Sequence, residues 1–201
     1  LRVPYQKLEA EFERVLLSID LPLAKARQCA AIFAANSRDG VYSHGLNRFP
    51  AFVQTVKEGL FKPDAEAVMV NNLGAIEQWN GNFGLGMLNA NRCMSRAVEL
   101  AGEYGIGCVA IKNTNHWMRA GYYGWKAAKE GFVLIAWTNA VANMPAWGAL
   151  NRKLGNNPLV IAIPYGKEAI VLDMAMSQFS YGALEMASAT GEKLRVNGGY
   201  D

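Results

Sequence analysis

Residues 105–137 read GIGCVAIKNTNHWMRAGYYGWKAAKEGFVLIAW. Cys108 to Ile111 is a short apolar run, Ala120 to Glu130 carries apolar residues at helical spacing, and Phe132 to Trp137 is apolar throughout. The stretch therefore predicts strand, helix, strand, with the last strand buried on both faces. This is an α/β rhythm. The same stretch opens with Gly105-x-Gly107-x-x-Ala110, close to the glycine fingerprint of a nucleotide-binding βαβ turn. A phosphate-binding turn must leave a strand and open a helix, whereas these glycines precede or enter a strand. Gly81, Gly84 and Gly86 have the wrong spacing for the same turn. A dinucleotide bound by this chain would be held without the usual Rossmann loop.

Downstream, Leu159 to Ile163 and Ala169 to Leu172 are two further buried-strand candidates. Pro164-Tyr165-Gly166-Lys167-Glu168 between them reads as a hairpin connection, so the sheet is expected to be mixed. Upstream, Asn80-Gly81-Asn82 marks a turn, and Met87, Ala90, Met94, Val98 and Ala101 line one face of a helix. Leu8, Phe12, Val15, Leu16 and Ile19 trace an N-terminal helix. Asp20-Leu21-Pro22 breaks it, and a second helix runs to about Gly40. Leu46, Phe49, Val53 and Val56 trace a third stripe, with Pro50 in its first turn. The chain thus divides into an N-terminal helical region, 1–60, and a mixed-sheet α/β region, 61–201. The tail Asn197-Gly198-Gly199-Tyr200-Asp201 reads as a loop.

With 201 residues, 51% of them hydrophobic, the chain can bury a core of one or two domains. The net charge of +3 is spread without a Lys/Arg block, which argues against nucleic-acid or polybasic membrane binding and leaves a small anionic ligand open. Cys29, Cys93 and Cys108 are odd in number and widely spaced, the usage of reduced, core-packed thiols in a cytoplasmic protein. No apolar run approaches the roughly 20 residues of a membrane span, and the N-terminus lacks a signal-peptide core.

The sequence holds two histidines. Each stands in a polar loop with an arginine within a few residues: Tyr42-Ser43-His44-Gly45-Leu46-Asn47-Arg48 and Asn115-His116-Trp117-Met118-Arg119. An imidazole can donate a proton to an alkoxide forming on a ketone. The planar fork of arginine matches a carboxylate. Pro50 places Arg48 at a helix N-terminus, where unpaired N–H groups also favour an anion. The structural alternatives are a loop histidine bonded to a backbone carbonyl and an arginine that is a solvated helix-end charge.

Ser43 beside His44 does not make a hydrolase, because adjacent side chains are not expected to face one another and the glycine of G-x-S-x-G is missing. Two distant histidines without clustered cysteines supply too few zinc ligands. Trp117, Trp125, Trp137 and Trp147 are expected to pack a core or an interface, core being the better reading, rather than to form a stacking surface. Asn139, Asn143, Asn156 and Asn157 crowd the loops after Trp137 and before Leu159, where amides either orient substrate hydroxyls or close turns.

Four segments together resemble the malate/L-lactate dehydrogenase type 2 family: Val41 through Pro50, Leu73-Gly74-Ala75-Ile76-Glu77-Gln78-Trp79, Asn115 through Arg119, and Trp137-Thr138-Asn139. The likeness runs along the whole chain. It implies a non-Rossmann α/β fold, an NAD(P)-dependent oxidoreductase activity with NADH as cofactor and NADPH as the alternative, and a homodimer with its active site near the subunit interface. It also implies that His44 is the proton donor, that Ser43, Arg48, His116 and Asn139 line the substrate pocket, and that Ala169-Ile170-Val171-Leu172-Asp173-Met174-Ala175 belongs to the cofactor-binding segment. The embedded Tyr-Ser-His-Gly-x-Asn-Arg-Phe-Pro points, within the family, to reduction of a diketo sugar acid at C2. Malate, lactate and ureidoglycolate chemistry are alternatives, and an inactive sugar-acid-binding fragment is another. Pro145-Ala146-Trp147-Gly148 stands where the family usually has a double proline, and Gly155-Asn156-Asn157-Pro158 stands for Gly-Thr-Asn-Pro. The resemblance further implies a chain that continues beyond Asp201, with more cofactor contacts there.

Overall fold

Proline punctuates the helical N-terminus in the computed structural model, which describes residues 2–194. Helix α1 (Tyr5–Leu17) starts after Pro4 and α2 (Leu23–Arg38) after Pro22, at φ −56° and −54°, the angle a pyrrolidine ring fixes and a first turn accepts. Asp20, at φ 61°, breaks the path between them as expected. Helix α3 (Phe49–Lys57) has Pro50 in its first turn. Phe49 and Val56 of the expected stripe are buried and Val53 packs partly buried against the core, with Phe52 buried beside them; Leu46 is the exception. Leu46 lies in a 3-10 turn ahead of the helix and is exposed, so the helical count starts three residues later. Phe12, Phe33, Phe49 and Phe52 interlock with centroids 4.3–5.9 Å apart, spacings at which edge and offset ring contacts add to area burial.

This helical core is shared with later segments, since Leu85, Met87 and Met118 belong to the same buried cluster. The chain divides into two compact units, Leu1–Tyr123 and Gly124–Asp201. Residues 1–60 therefore do not stand apart.

In the first unit, β1 (Val68–Leu73) and β2 (Ile76–Asn80) form an antiparallel pair. The connection through α4 (Gly86–Tyr104) brings β3 (Cys108–Lys112) parallel to β2. The crossover is a βαβ unit with its fingerprint-like glycines on the wrong leg. Gly105 ends α4 in the left-handed region at φ 79°. A Cβ on Gly107 would overlap the Ala97 carbonyl oxygen. Both residues turn a helix into a strand, so the rejection of a phosphate loop holds. Helix α4 buries Met87 and Met94 as expected, together with Asn89, Cys93 and Leu100, while Ala90, Val98 and Ala101 are half-buried. Beneath it the Glu77 carboxylate, 1% exposed, accepts from Arg96 at 2.8 and 3.0 Å and from Trp79 Nε1 at 2.8 Å. Those side chains cover a charge that lies near the protein surface, and the Arg96 hydrogen bonds hold its pKa below the usual carboxylate range.

In the second unit, helix α5 (Gly121–Lys129), which begins just before the division, is followed by β4 (Leu134–Trp137). A short ribbon of β5 (Met144–Pro145) and β6 (Arg152–Leu154) precedes β7 (Leu159–Tyr165), β8 (Glu168–Met174) and α6 (Tyr181–Thr190). The β7–β8 hairpin is antiparallel, as expected, and so is β4 with β7. Mixed pairing is confined to the first sheet. A Cβ on Gly124 would stand 2.9 Å from Val160 and 3.0 Å from Ala162, so the missing side chain lets α5 lie against one sheet face. On the other face Ile135, Trp137, Ile163, Ile170, Leu172 and Met174 are exposed. This corrects the reading of Phe132 to Trp137 as a strand buried on both sides. It also corrects the core assignment of Trp137, along with that of Trp147 on its turn. Cys29 and Cys93 are buried thiols, but Cys108 is exposed. Among the described residues no helix is long and apolar enough to cross a membrane. The tail Asn197–Asp201 lies outside the described residues.

Candidate active site

The first histidine follows the end of α2, in two consecutive 3-10 turns, Tyr42–His44 and Leu46–Arg48, that deliver Arg48 as the residue capping α3. The tightness of the first turn brings neighbouring side chains together, against expectation: Ser43 Oγ stands 3.0 Å from His44 Nδ1. The hydroxyl engages that nitrogen.

The second histidine is held by an unusual backbone. It lies between Asn113 at φ 52° and Met118 at φ 62°, left-handed conformations that cost L residues energy and collect at functional sites. Met118 is buried and its N–H donates to His116 Nδ1 at 3.0 Å. An accepting Nδ1 places the proton of the neutral ring on Nε2. Met118 thereby anchors the loop and fixes the tautomer. Asn115 ties the loop to the chain ahead of α4, donating to the carbonyls of Phe83 and Gly84 at 2.8 Å each. Gly86, the first residue of α4, has no room for a side chain, because a Cβ there would overlap the Asn115 carbonyl oxygen and stand 2.6 Å from that of His116.

The two rings stack with centroids 5.6 Å apart and planes at 19°. His116 is exposed at the surface, yet protein atoms crowd around its ring. That enclosure, followed by the nearby His44 and Arg48, lowers its pKa to about 4. His116 is thus a neutral Nε2–H donor at ordinary pH.

The two arginines, alike in sequence, are not alike in place. Arg119 is bound to Asp39 at 2.7 Å, a structural ion pair. Arg48 is half-buried and pairs with no carboxylate among the described residues. A guanidinium at a helix N-terminus without an acidic partner is suited to a ligand carboxylate.

Ser43, His44, Arg48 and His116 therefore gather in the first unit. Asn139 and Ala169–Ala175 lie in the second unit and are described within it. Asn139 is exposed on the loop after β4. Its neighbour Asn157, at φ 34°, accepts from the Ala140 N–H at 3.0 Å, which is turn closure. Ala169–Ala175 comprises most of β8 and one residue beyond it, exposing Ile170, Leu172 and Met174 on the open sheet face. Among the described residues no group of three or more His, Cys, Asp or Glu side chains could hold a metal ion. Sequence reading did not single out Asn36, Ser37 or Asp39, although Asn-Ser-x-Asp closing a helix before Gly40 is a dense polar cluster, and it weighed Gly86 only as a phosphate-loop glycine.

Fold and site together define a non-Rossmann α/β protein with two stacked histidines near a guanidinium that pairs with no carboxylate among the described residues. The malate/L-lactate dehydrogenase family model matches residues 3–201, and the chain belongs to that family. It is 49% identical over 201 residues to the 2,3-diketo-L-gulonate reductases of Escherichia fergusonii and of Escherichia coli O17:K52:H18, covering all of this chain and 60% of each relative. The chain thus spans about 60% of the length of the curated relatives it matches. Among solved structures, the malate dehydrogenase of Pyrococcus horikoshii OT3 is 32% identical with a TM-score of 0.88, over 92% of this chain and 53% of that one. That of Entamoeba histolytica is 30% identical with a TM-score of 0.91, over 95% and 54%.

Proposed function

We propose that the chain reduces the C2 carbonyl of a 2-oxo acid with NADH, NADPH being the alternative, and that the substrate is 2,3-diketo-L-gulonate and the product 3-keto-L-gulonate. The observation that carries the reading is the stacked His44–His116 pair near an Arg48 that pairs with no carboxylate among the described residues. In this reading Arg48 grips the C1 carboxylate with its fork of donors. His116, neutral and protonated on Nε2, donates to a substrate oxygen without competing for the transferred proton. His44, as the imidazolium with its Nδ1–H donated to Ser43 Oγ, gives its Nε2 proton to the oxygen of C2 as the carbonyl π pair moves onto that oxygen, and is left as the neutral imidazole. Ser43 orients the His44 ring, and a substrate-binding role for Asn139 is carried by the family resemblance alone.

The cofactor segment is Ala169–Ala175. Its open strand face of Ile170, Leu172 and Met174 offers apolar surface that suits a flat ring. A reduced nicotinamide, when bound, supplies the hydride. The working unit in this reading is a homodimer. The buried, unpaired thiols Cys29 and Cys93 support a reducing compartment, the cytoplasm.

The malate dehydrogenase names of the solved neighbours favour a second reading, in which the same groups act on another 2-oxo acid. Following NADH absorbance across a panel of 2-oxo acids separates the two. Fastest turnover with 2,3-diketo-L-gulonate is expected, and fastest turnover with oxaloacetate or pyruvate would replace that substrate. No oxidation with any acid, while the acids still raise the melting temperature, would make the chain a binder and not an enzyme.

A further inference from the structure

We propose that Asn36 and Ser37, in the last turn of α2, are positioning residues for His44, an assignment that rests on His44 being the proton donor. Both are polar side chains in an apolar core, 0% and 7% exposed. Asn36 Nδ2 donates to the His44 carbonyl at 3.0 Å. The flipped amide would set oxygen against oxygen, so its orientation is determined. Asn36 Oδ1 is enclosed and accepts no hydrogen bond from the protein among the described residues. An apolar residue of the same volume would avoid that cost, so packing alone does not account for an amide there.

Ser37 completes the grip. Its hydroxyl donates to Phe33 O at 2.8 Å within the helix and accepts from the Leu46 N–H at 2.9 Å. Gly45, between these two anchors, lies so close that a Cβ would overlap Ser37 Oγ and stand 2.8 Å from Ser37 N. Three consecutive residues, 44 to 46, are thus pinned to one rigid helix end. Asp39, in the same turn, holds Arg119 on the loop of the other histidine. The end of α2 thus touches both histidine loops, and it holds the His44 segment directly. A proton donor misplaced by about 1 Å can lose roughly 10²-fold in rate, so the helix end acts on turnover through His44.

The test uses Asn36→Ala and Ser37→Ala in this chain, labelled with nitrogen-15 histidine. With two histidines in the sequence, each ring can be followed separately. The expected result is that the His44 signals move and broaden while His116 keeps its accepting Nδ1. With 2,3-diketo-L-gulonate and NADH, kcat should fall by at least about 10-fold with KM nearly unchanged. His44 signals identical to the parent in both folded variants would overturn the proposal, as would a raised KM at unchanged kcat. Should Asn36→Ala fail to fold, Ser37→Ala, which removes one hydroxyl, decides alone. A parent chain that oxidises no NADH removes the reductase reading, and the spectra still decide whether α2 sets His44.

Discussion

Replacing Gly86 with alanine tests whether the His116 loop owes its position to the start of α4. Two effects compete. Helix propensity favours alanine by up to about 1 kcal/mol in a helix interior, and by less at a first residue such as Gly86. Against it, the new Cβ would overlap the Asn115 carbonyl oxygen and lie 2.6 Å from the His116 carbonyl oxygen. Both obstacles are backbone, held by two 2.8 Å hydrogen bonds from Asn115 and by the 3.0 Å bond from Met118. They cannot swing aside as the end of a flexible side chain would. Overpacking of this kind costs about 1–3 kcal/mol. The net loss should be about 1–2 kcal/mol, a fall of roughly 2–8 °C in Tm for a chain of this size. The loop must also shift by something on the order of 1 Å, and with it the Nε2–H of His116, so turnover should drop by roughly 10²-fold. Thermal unfolding and the NADH assay read the two effects separately. A Gly86→Ala protein as stable as the parent or more so, with an unaltered His116 signal, would refute the reasoning.

Glu77→Gln should destabilise the first unit by about 1–3 kcal/mol at neutral pH, since it leaves Arg96 without its buried partner. The Glu77 pKa is lowered in the folded chain, so its stabilisation is present above the unfolded value near 4.3 and is lost as pH falls through the folded value. The variant's stability should accordingly fall less steeply in acid, as chemical denaturation at several pH values would register. His116, lowered to about 4, should stay neutral in nitrogen-15 spectra down to about pH 5. Because the unfolded ring binds a proton first, at about 6.5, this group withdraws stability as pH falls from there toward 4. A His116 signal titrating near 6.5 would reverse its assignment as a neutral donor. Arg48→Lys should raise KM for the oxo acid by about 10-fold with a smaller effect on kcat, a point charge replacing a bidentate fork. An unchanged KM would return Arg48 to a structural role.

Helices α1 and α2 were legible because Leu8, Phe12, Val15, Leu16 and Ile19 keep a helical period and Asp20-Leu21-Pro22 breaks it and restarts the second helix. The β7–β8 hairpin was legible from its turn residues. Strands β1 and β2 were not, since β1 is exposed along its whole length and carries no alternation that would announce a buried face. Strand β4 reads as apolar throughout, and composition alone cannot tell that only one of its faces is covered. At the site, the loops bearing His44 and His116 were visible as motifs, but the difference between Arg48 and Arg119 was not. It depends on Asp39, eighty residues away from Arg119 in sequence. The Ser43–His44 contact was missed for a local reason: a 3-10 turn rotates neighbouring side chains closer than an extended loop does.

The most direct measurement compares the parent chain with His44→Ala for NADH oxidation by 2,3-diketo-L-gulonate at saturating substrate. A proton donor to the C2 oxygen predicts a fall of at least roughly 10²-fold in kcat, with the His116 signal still reporting a folded loop. Equal turnover in the two proteins would contradict it and would mean that the proton comes from elsewhere.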